Sequence, residues 1–263
     1  MHIYGRVIRT LLQRSWLKPS DTVLVLAGGP FDRQVLLDAG LLNVTISNLQ
    51  QDGGDYAPFH WQNQDAENVR ADDASWDWVV IHAGLHHLSV PAKGVAEMLR
   101  VARKGIVCFE ARDSLLMRWA VRTGLTTDYE LEPALLSDGQ EGGWRNGPIP
   151  NYVYRWTERQ FEKVVNSFAP AYRHRFFYDY GYHVPVHRFA MARSGVYRAL
   201  GSAIGKIARL AGWLLPRQGN QFAFGALKNS HRQAWLTESL RFDPAYMDRK
   251  YDKSQYSGQP PAG

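Results

Sequence analysis

Along residues 3–16, Ile3, Val7, Ile8, Leu11, Leu12 and Trp16 share one helical face, with Arg6, Arg9 and Arg14 elsewhere. That spacing predicts an amphipathic helix lying on a core. Lys18-Pro19-Ser20-Asp21 ends the pattern, and Thr22-Val23-Leu24-Val25-Leu26 follows as an uninterrupted apolar run. A strand apolar on both faces belongs in a parallel sheet covered on both sides. Ala27-Gly28-Gly29-Pro30 predicts a turn, and residues 32–39 a helix stopped by Gly40. The alternation then repeats, with strands at 44–47, 59–61 and 76–81, a helix opened by Pro91 to about Arg103, and a strand at 105–110. Strands alternating with helices imply right-handed crossovers and an open α/β sheet with helices on both faces.

The second half is less regular. Residues 124–156 are rich in Gly, Pro and aromatic side chains and predict a long ordered loop. Thr157-Glu158-Arg159-Gln160 has the spacing of a capping box opening a helix to about Phe168. Strands are expected at 173–180 and 221–227, separated by a helical insertion at about 185–218. Residues 1–242 thus read as one domain, and the polar stretch 243–263 as a disordered tail.

Composition narrows the classes. A chain of 263 residues with 45% hydrophobic and 21% charged side chains can bury a sizeable core. Its single cysteine, Cys108, excludes an internal disulfide and a cysteine-clustered metal centre, and no metal ligands are assigned. No apolar run reaches the roughly 18 residues that cross a bilayer, and Met1–Arg6 has no signal-like apolar core. A cytoplasmic protein is expected, peripheral to the membrane at most. The net charge of +6 is uneven: eight Lys and Arg and no acid lie between Asp179 and Glu238, leaving −2 for the rest. Attraction to an anionic partner would act through that segment.

The glycine pair after the first strand brings backbone close to a ligand beside a helix N-terminus. Gly28-Gly29-Pro30-Phe31-Asp32-Arg33 lacks the G-x-G-x-x-G spacing of a dinucleotide site, and no Gly-Lys-Ser/Thr follows for a P-loop. Val23–Phe31 instead resembles the V-L-D-L-G-C-G-T-G turn of the class I S-adenosylmethionine (SAM)-dependent methyltransferases, small-molecule branch. The resemblance runs over roughly residues 20–112 in order. Asn43–Leu49 is similar to the second strand, Gln64-Asp65-Ala66-Glu67-Asn68 to the G-D-A-E segment, and Trp76–Leu88 to F-D-x-V-x-x-x-x-x-L-H-H-L.

The resemblance implies a Rossmann-like fold with a mostly parallel seven-stranded sheet, its last, antiparallel strand at 221–227, and SAM as cofactor. Carried onto this chain, it places Ala27, Gly28, Gly29, Asn48, Leu49, Asp65, Ala66 and His82 around the cofactor. Asp65 would contact the adenine amino group and Asn48 would stand at the ribose hydroxyls. The chain departs from the family at Val25, Ala27, Phe31 and Asn48, where an acid, two glycines and a second acid are usual. An asparagine there gives up a charge-assisted hydrogen bond of about twice the neutral strength.

His86 and His87 follow the fourth strand, where an imidazole can take a proton from an acceptor during methyl transfer; a structural or cofactor-shell role is the alternative. Cys108 reads as core. Trp144–Trp156 would wall a substrate cavity or pin the loop. Val196, Leu200, Ile204, Ile207, Leu210 and Leu214 form an apolar stripe flanked by Arg198, Lys206 and Arg209. Residues 194–215 would lie on an anionic membrane or pack on the sheet. The expected activity is methyl transfer from SAM to an oxygen or nitrogen of a small or lipid-linked molecule. A degenerate, non-catalytic scaffold is the alternative, and nucleic-acid binding is the least supported.

Overall fold

Seven strands make one sheet in the order β3-β2-β1-β4-β5-β7-β6. In a computed structural model the chain is described at residues 2–49, 54–132, 137–183, 214–228 and 231–249, with 195, 210 and 212 as isolated positions. The strands are β1 (Thr22–Leu26), β2 (Asn43–Asn48), β3 (His60–Asn63), β4 (Trp76–His82), β5 (Ala102–Ala111), β6 (Arg175–Gly181) and β7 (Gln221–Leu227). Pairing is parallel from β3 to β5, and β7 runs antiparallel to both β5 and β6.

The unbroken apolar runs separate into two cores because alternate side chains leave opposite faces of a strand. Leu24, Leu26, Val79, Ile81, Ile106 and Cys108 pack with Val95, Met98 and Leu99 of α3 (Pro91–Val101) and Phe161 and Val165 of α5 (Glu158–Phe168). On the other face, Val23, Val25, Trp78, Val80 and Val107 pack with Ile3, Tyr4, Val7, Ile8 and Leu11 of α1 (Ile3–Gln13) and Leu36 of α2 (Pro30–Asp38). The predicted capping box is formed: Thr157 and Gln160 exchange side-chain and backbone hydrogen bonds at the start of α5.

Three elements differ from the sequence reading. Helix α1 ends at Gln13 rather than Trp16, because Ser15 turns into the left-handed region at φ 55°. Helix α4 (Leu115–Arg122) has no buried residue, so it lacked a core stripe to announce it. The expected tail begins ordered, with a short helix α6 (Pro244–Asp248) that follows a bridge between Leu236 and Phe242. Most of the basic insertion, and residues 250–263, lie outside the described residues. No helix among the described residues is long and apolar enough to cross a membrane.

Candidate active site

Strand order reverses at β1, which has β2 on one side and β4 on the other. A crevice outside the carboxyl ends of the strands at such a switch point is where open α/β sheets bind ligands. Ala27, after β1, and Ala83, after β4, both adopt left-handed backbone at φ 51°. That conformation is costly for a residue with a β-carbon. Gly28 serves packing: its amide donates to Ser47 O at 2.8 Å, and a β-carbon there would stand 2.8 Å from Val25 Cγ1 and 2.9 Å from Ile46 Cγ2. Gly29 is different. It caps α2, its N–H donates to Asp32 Oδ2 at 2.9 Å, and nothing lies within 4 Å of where its β-carbon would be.

The crevice is a cavity of about 170 Å³ whose lining includes Ala27, Asn48, Leu49, Asp65, Ala66 and Arg145. The Asn48 side chain is locked into the turn, donating from Nδ2 to Gly28 O at 3.2 Å and accepting the Leu49 amide at 2.7 Å. Asp65 accepts the Glu67 amide on Oδ1 at 2.9 Å, and on Oδ2 it receives Nη2 of Arg145 at 2.8 Å. Partial burial opposes its charge, but Arg145 and that amide outweigh burial and hold the carboxyl below its ordinary range. The other arm of Arg145 donates to buried Glu67 at 2.6 Å, and Glu67 also receives the Ser89 and Val90 amides.

His82 faces away from this crevice. It lies among Tyr4, Phe31, Phe109 and His2, with the Tyr4 ring stacked on it at 5.1 Å, and lines a second cavity with His2, His86, His183 and Phe222. The expected place in the cofactor shell is thus filled by Ala83 and Gly84, because the β4 chain turns at Ala83 and leaves the His82 ring on the α1 side. Burial, aided by His2, depresses the His82 pKa to about 4, so it is neutral.

His86 and His87 form a short 3-10 turn with Leu85. His86 Nδ1 meets Glu110 Oε2 at 2.5 Å, its Nε2 lies 3.2 Å from Glu130 Oε2, and Glu110 Oε1 accepts the Leu85 amide. Burial disfavours its charge, yet the two carboxylates overcome this and push its pKa up to about 10. His87 pairs Nδ1 with Gly143 O at 3.1 Å and turns Nε2 toward the same Glu130 oxygen. Burial and the neighbouring imidazolium hold His87 below its ordinary value. His86 fronts the second cavity and His87 the crevice, with Ala83 lining both.

Of the loop's two expected roles, the structure shows the pinning, and among the described residues none of 144–156 lines the second cavity. Trp156 is fully buried against Tyr154 and Phe224 and pins the loop to the end of β5, while Arg145 and Asn146 reach the crevice. Glu110 and Glu130 escaped the sequence reading, and Arg145 and Glu67 were given no role of their own within the segments it named. Glu67 lay inside the G-D-A-E-like segment and Glu110 at a strand's carboxyl end, so both carried a positional signal; Glu130 carried none.

A sheet of this order with one antiparallel strand, and a crevice at its β1/β4 switch point, define a Rossmann-like methyltransferase fold. The comparisons agree: residues 35–109 match the family model described as a methyltransferase domain. Over 88% of this chain and 96% of its own, a chain of the complex formed by the Haloferax volcanii Trm112 methyltransferase activator superposes at TM-score 0.53 and 12% identity. A SAM-dependent methyltransferase from Archaeoglobus fulgidus matches over 85% and 94%, at TM-score 0.48 and 12% identity. Comparison with curated protein sequences gave no match. The chain therefore has the Rossmann-like methyltransferase fold, with residues 35–109 matching a methyltransferase domain, and such a domain implies SAM as its cofactor. Its residues fit that cofactor: Asn48, Gln64 and Asp65 offer hydrogen bonds, Leu49, Ala66 and Leu88 offer apolar walls, and the space over Gly29 is open.

Proposed function

We propose that the chain methylates an oxygen or nitrogen of a small or lipid-linked acceptor that enters the second cavity. The observation that carries this reading is the shared wall at Ala83, which puts that cavity beside the cofactor crevice at the end of β4. Bound SAM supplies an electrophilic sulfonium methyl group. The chain's part is then mainly proximity and orientation. Asp65, Asn48 and the Gly29 turn hold one reactant, while Phe109, Phe222 and the neutral His82 exclude water around the other. A free-base role for His86 is disfavoured, because its raised pKa keeps it protonated at neutral pH.

The lipid-linked variant is supported by α4, which exposes Leu115, Leu116 and Trp119 beside Arg118 and Arg122. Apolar and basic side chains on one helix suit an anionic membrane surface. The basic segment 194–215 would join it there, which sedimentation with anionic vesicles tests; equal binding after deletion of that segment removes its role.

A specific contact favours the second reading, a non-catalytic scaffold: Arg145 occupies the carboxylate expected to face adenine. Calorimetric titration with SAM and its demethylated product separates the two. Micromolar binding lost on Asp65→Ala supports the transferase, whose acceptor is then sought with labelled SAM. A folded protein that binds neither ligand is a scaffold.

A further inference from the structure

We propose that His86, His87 and Glu130 bind a divalent transition-metal ion of the zinc type. Their ligating atoms all lie within 4.8 Å of one another. Glu130 Oε2 stands 3.2 Å from His86 Nε2 and 3.6 Å from His87 Nε2. Ligands about 2.0–2.1 Å from a tetrahedral zinc are separated by about 3.3–3.4 Å, so both contacts have the spacing of neighbours around one ion.

Hydrogen bonding alone accounts for only one of these contacts. A proton on His86 Nε2 explains the 3.2 Å approach. It leaves His87 unexplained. The carbonyl of Gly143 can only accept, so His87 Nδ1 is the donor in that 3.1 Å contact and Nε2 bears a lone pair. That lone pair faces a carboxylate oxygen at 3.6 Å, beyond hydrogen-bond length. A cation that displaces the His86 Nε2 proton would accept both imidazole nitrogens and the Glu130 oxygen at one point.

The surroundings are those of a metal site. A ligating histidine characteristically donates its other ring N–H to a carboxylate or a backbone carbonyl, which fixes its tautomer. Here His86 Nδ1 is held by Glu110 and His87 Nδ1 by Gly143 O. Asn151 completes the arrangement by donating to Glu130 Oε2 at 3.4 Å and to His86 O at 3.3 Å. Two imidazoles and one carboxylate with open positions select zinc or ferrous iron over magnesium and calcium. Glu130 and His87 are each partly exposed, giving the ion a way in. An ion there would stand between the crevice and the second cavity. On the methyl-transfer reading it would polarise an acceptor hydroxyl in place of a protein base; the binding site itself does not depend on that reading.

The test is direct. The full chain, stripped with a chelator, is titrated with Zn²⁺ alone against a chromogenic zinc indicator. One ion per chain at submicromolar affinity is expected. His87→Ala and Glu130→Gln should each weaken it by roughly 100-fold, and Glu110→Gln, a positioning residue, by roughly 10–100-fold. His231→Ala, distant from the trio, should leave it unchanged. Should a variant fail to fold, Co²⁺ bound to the unmodified chain decides by its visible spectrum, which reports a four- or five-coordinate nitrogen–oxygen site at one equivalent. Zinc bound equally by the chain and by His87→Ala, or a cobalt spectrum like that of aqueous ion, overturns the proposal and leaves the trio as a proton bridge across His86. Neither result bears on SAM binding, so this site and the transferase reading fail separately.

Discussion

Arg145 Nη2 stands 2.8 Å from Asp65 Oδ2, so a residue of the long loop holds the carboxylate that the family resemblance assigns to adenine. Its second arm holds Glu67, which in turn anchors the Ser89 and Val90 amides ahead of α3. The loop is thus latched to the floor of the crevice through two acids. Backbone strain accompanies the latch, since Arg145 and the following Asn146 adopt left-handed φ values of 49° and 58°.

The latch competes with the cofactor for Asp65. A hydrogen bond to a charged group contributes about 1.5–3 kcal/mol, reduced at a partly exposed pair to about 1 kcal/mol. Arg145→Ala is therefore expected to raise SAM affinity by roughly fivefold in a calorimetric titration. A loss of affinity instead would make the guanidinium part of the ligand's own site.

Much of this was legible in the sequence, and the reasons differ by element. The unbroken run Thr22–Leu26 marked a strand covered on both faces, and Thr157 with Gln160 marked the start of α5, because period and capping are local properties. Helix α4 was not legible, since it buries nothing. Asp65 lay in an ordered motif, but its partner Arg145 is 80 residues away and reaches it only through the loop's tertiary path. Glu130 was equally hidden: nothing around it in the chain reveals that it will meet two histidines from another turn.

Ala27 stands where a glycine is usual, and its φ of 51° is the conformation glycine would supply. Left-handed backbone costs a residue with a β-carbon about 1–2 kcal/mol, partly offset by the greater unfolded-state entropy of glycine. Ala27→Gly is expected to stabilise the fold by about 0.5–1 kcal/mol, raising the thermal midpoint by roughly 2 °C. Gly84→Ala should act the other way, because its new β-carbon would lie 2.7 Å from that of Ala27. Thermal melts of the two variants moving in the same direction would contradict this account of the turn.

Trp156 and Trp144 sit in the same loop but differ in burial, at 0% and 46% exposure. Trp156→Ala should destabilise the domain by about 3–5 kcal/mol through the cavity left against Phe224. Trp144→Ala should change stability by about 0.5 kcal/mol or less. Urea unfolding checks both; comparable losses would mean that the loop is held along its whole length rather than by one anchor.

Asp32 and His82 flank the buried Tyr4, and burial shifts the equilibrium of each toward its uncharged form. Burial, resisted by the Gly29 N–H, raises the Asp32 pKa from 3.8 to about 6. The folded chain then binds more protons than the unfolded one between those values, so stability from this group falls as pH rises from about 4 to about 6. For His82 the pKa falls from 6.5 to about 4, so the unfolded chain binds more protons in that window and stability rises with pH. Each contribution is on the order of 3 kcal/mol, and over their shared range the slopes oppose. Removing one should expose the other. Asp32→Asn is expected to be more stable than the parent at pH 7 by about 2–3 kcal/mol, a gain that vanishes near pH 4; its Oδ1 can still accept the Gly29 amide. His82→Gln should leave stability falling from about pH 4 to about pH 6. Denaturant unfolding across that range reads both, and a stability difference for Asp32→Asn that stays constant with pH would show that Asp32 keeps its ordinary pKa in the folded chain.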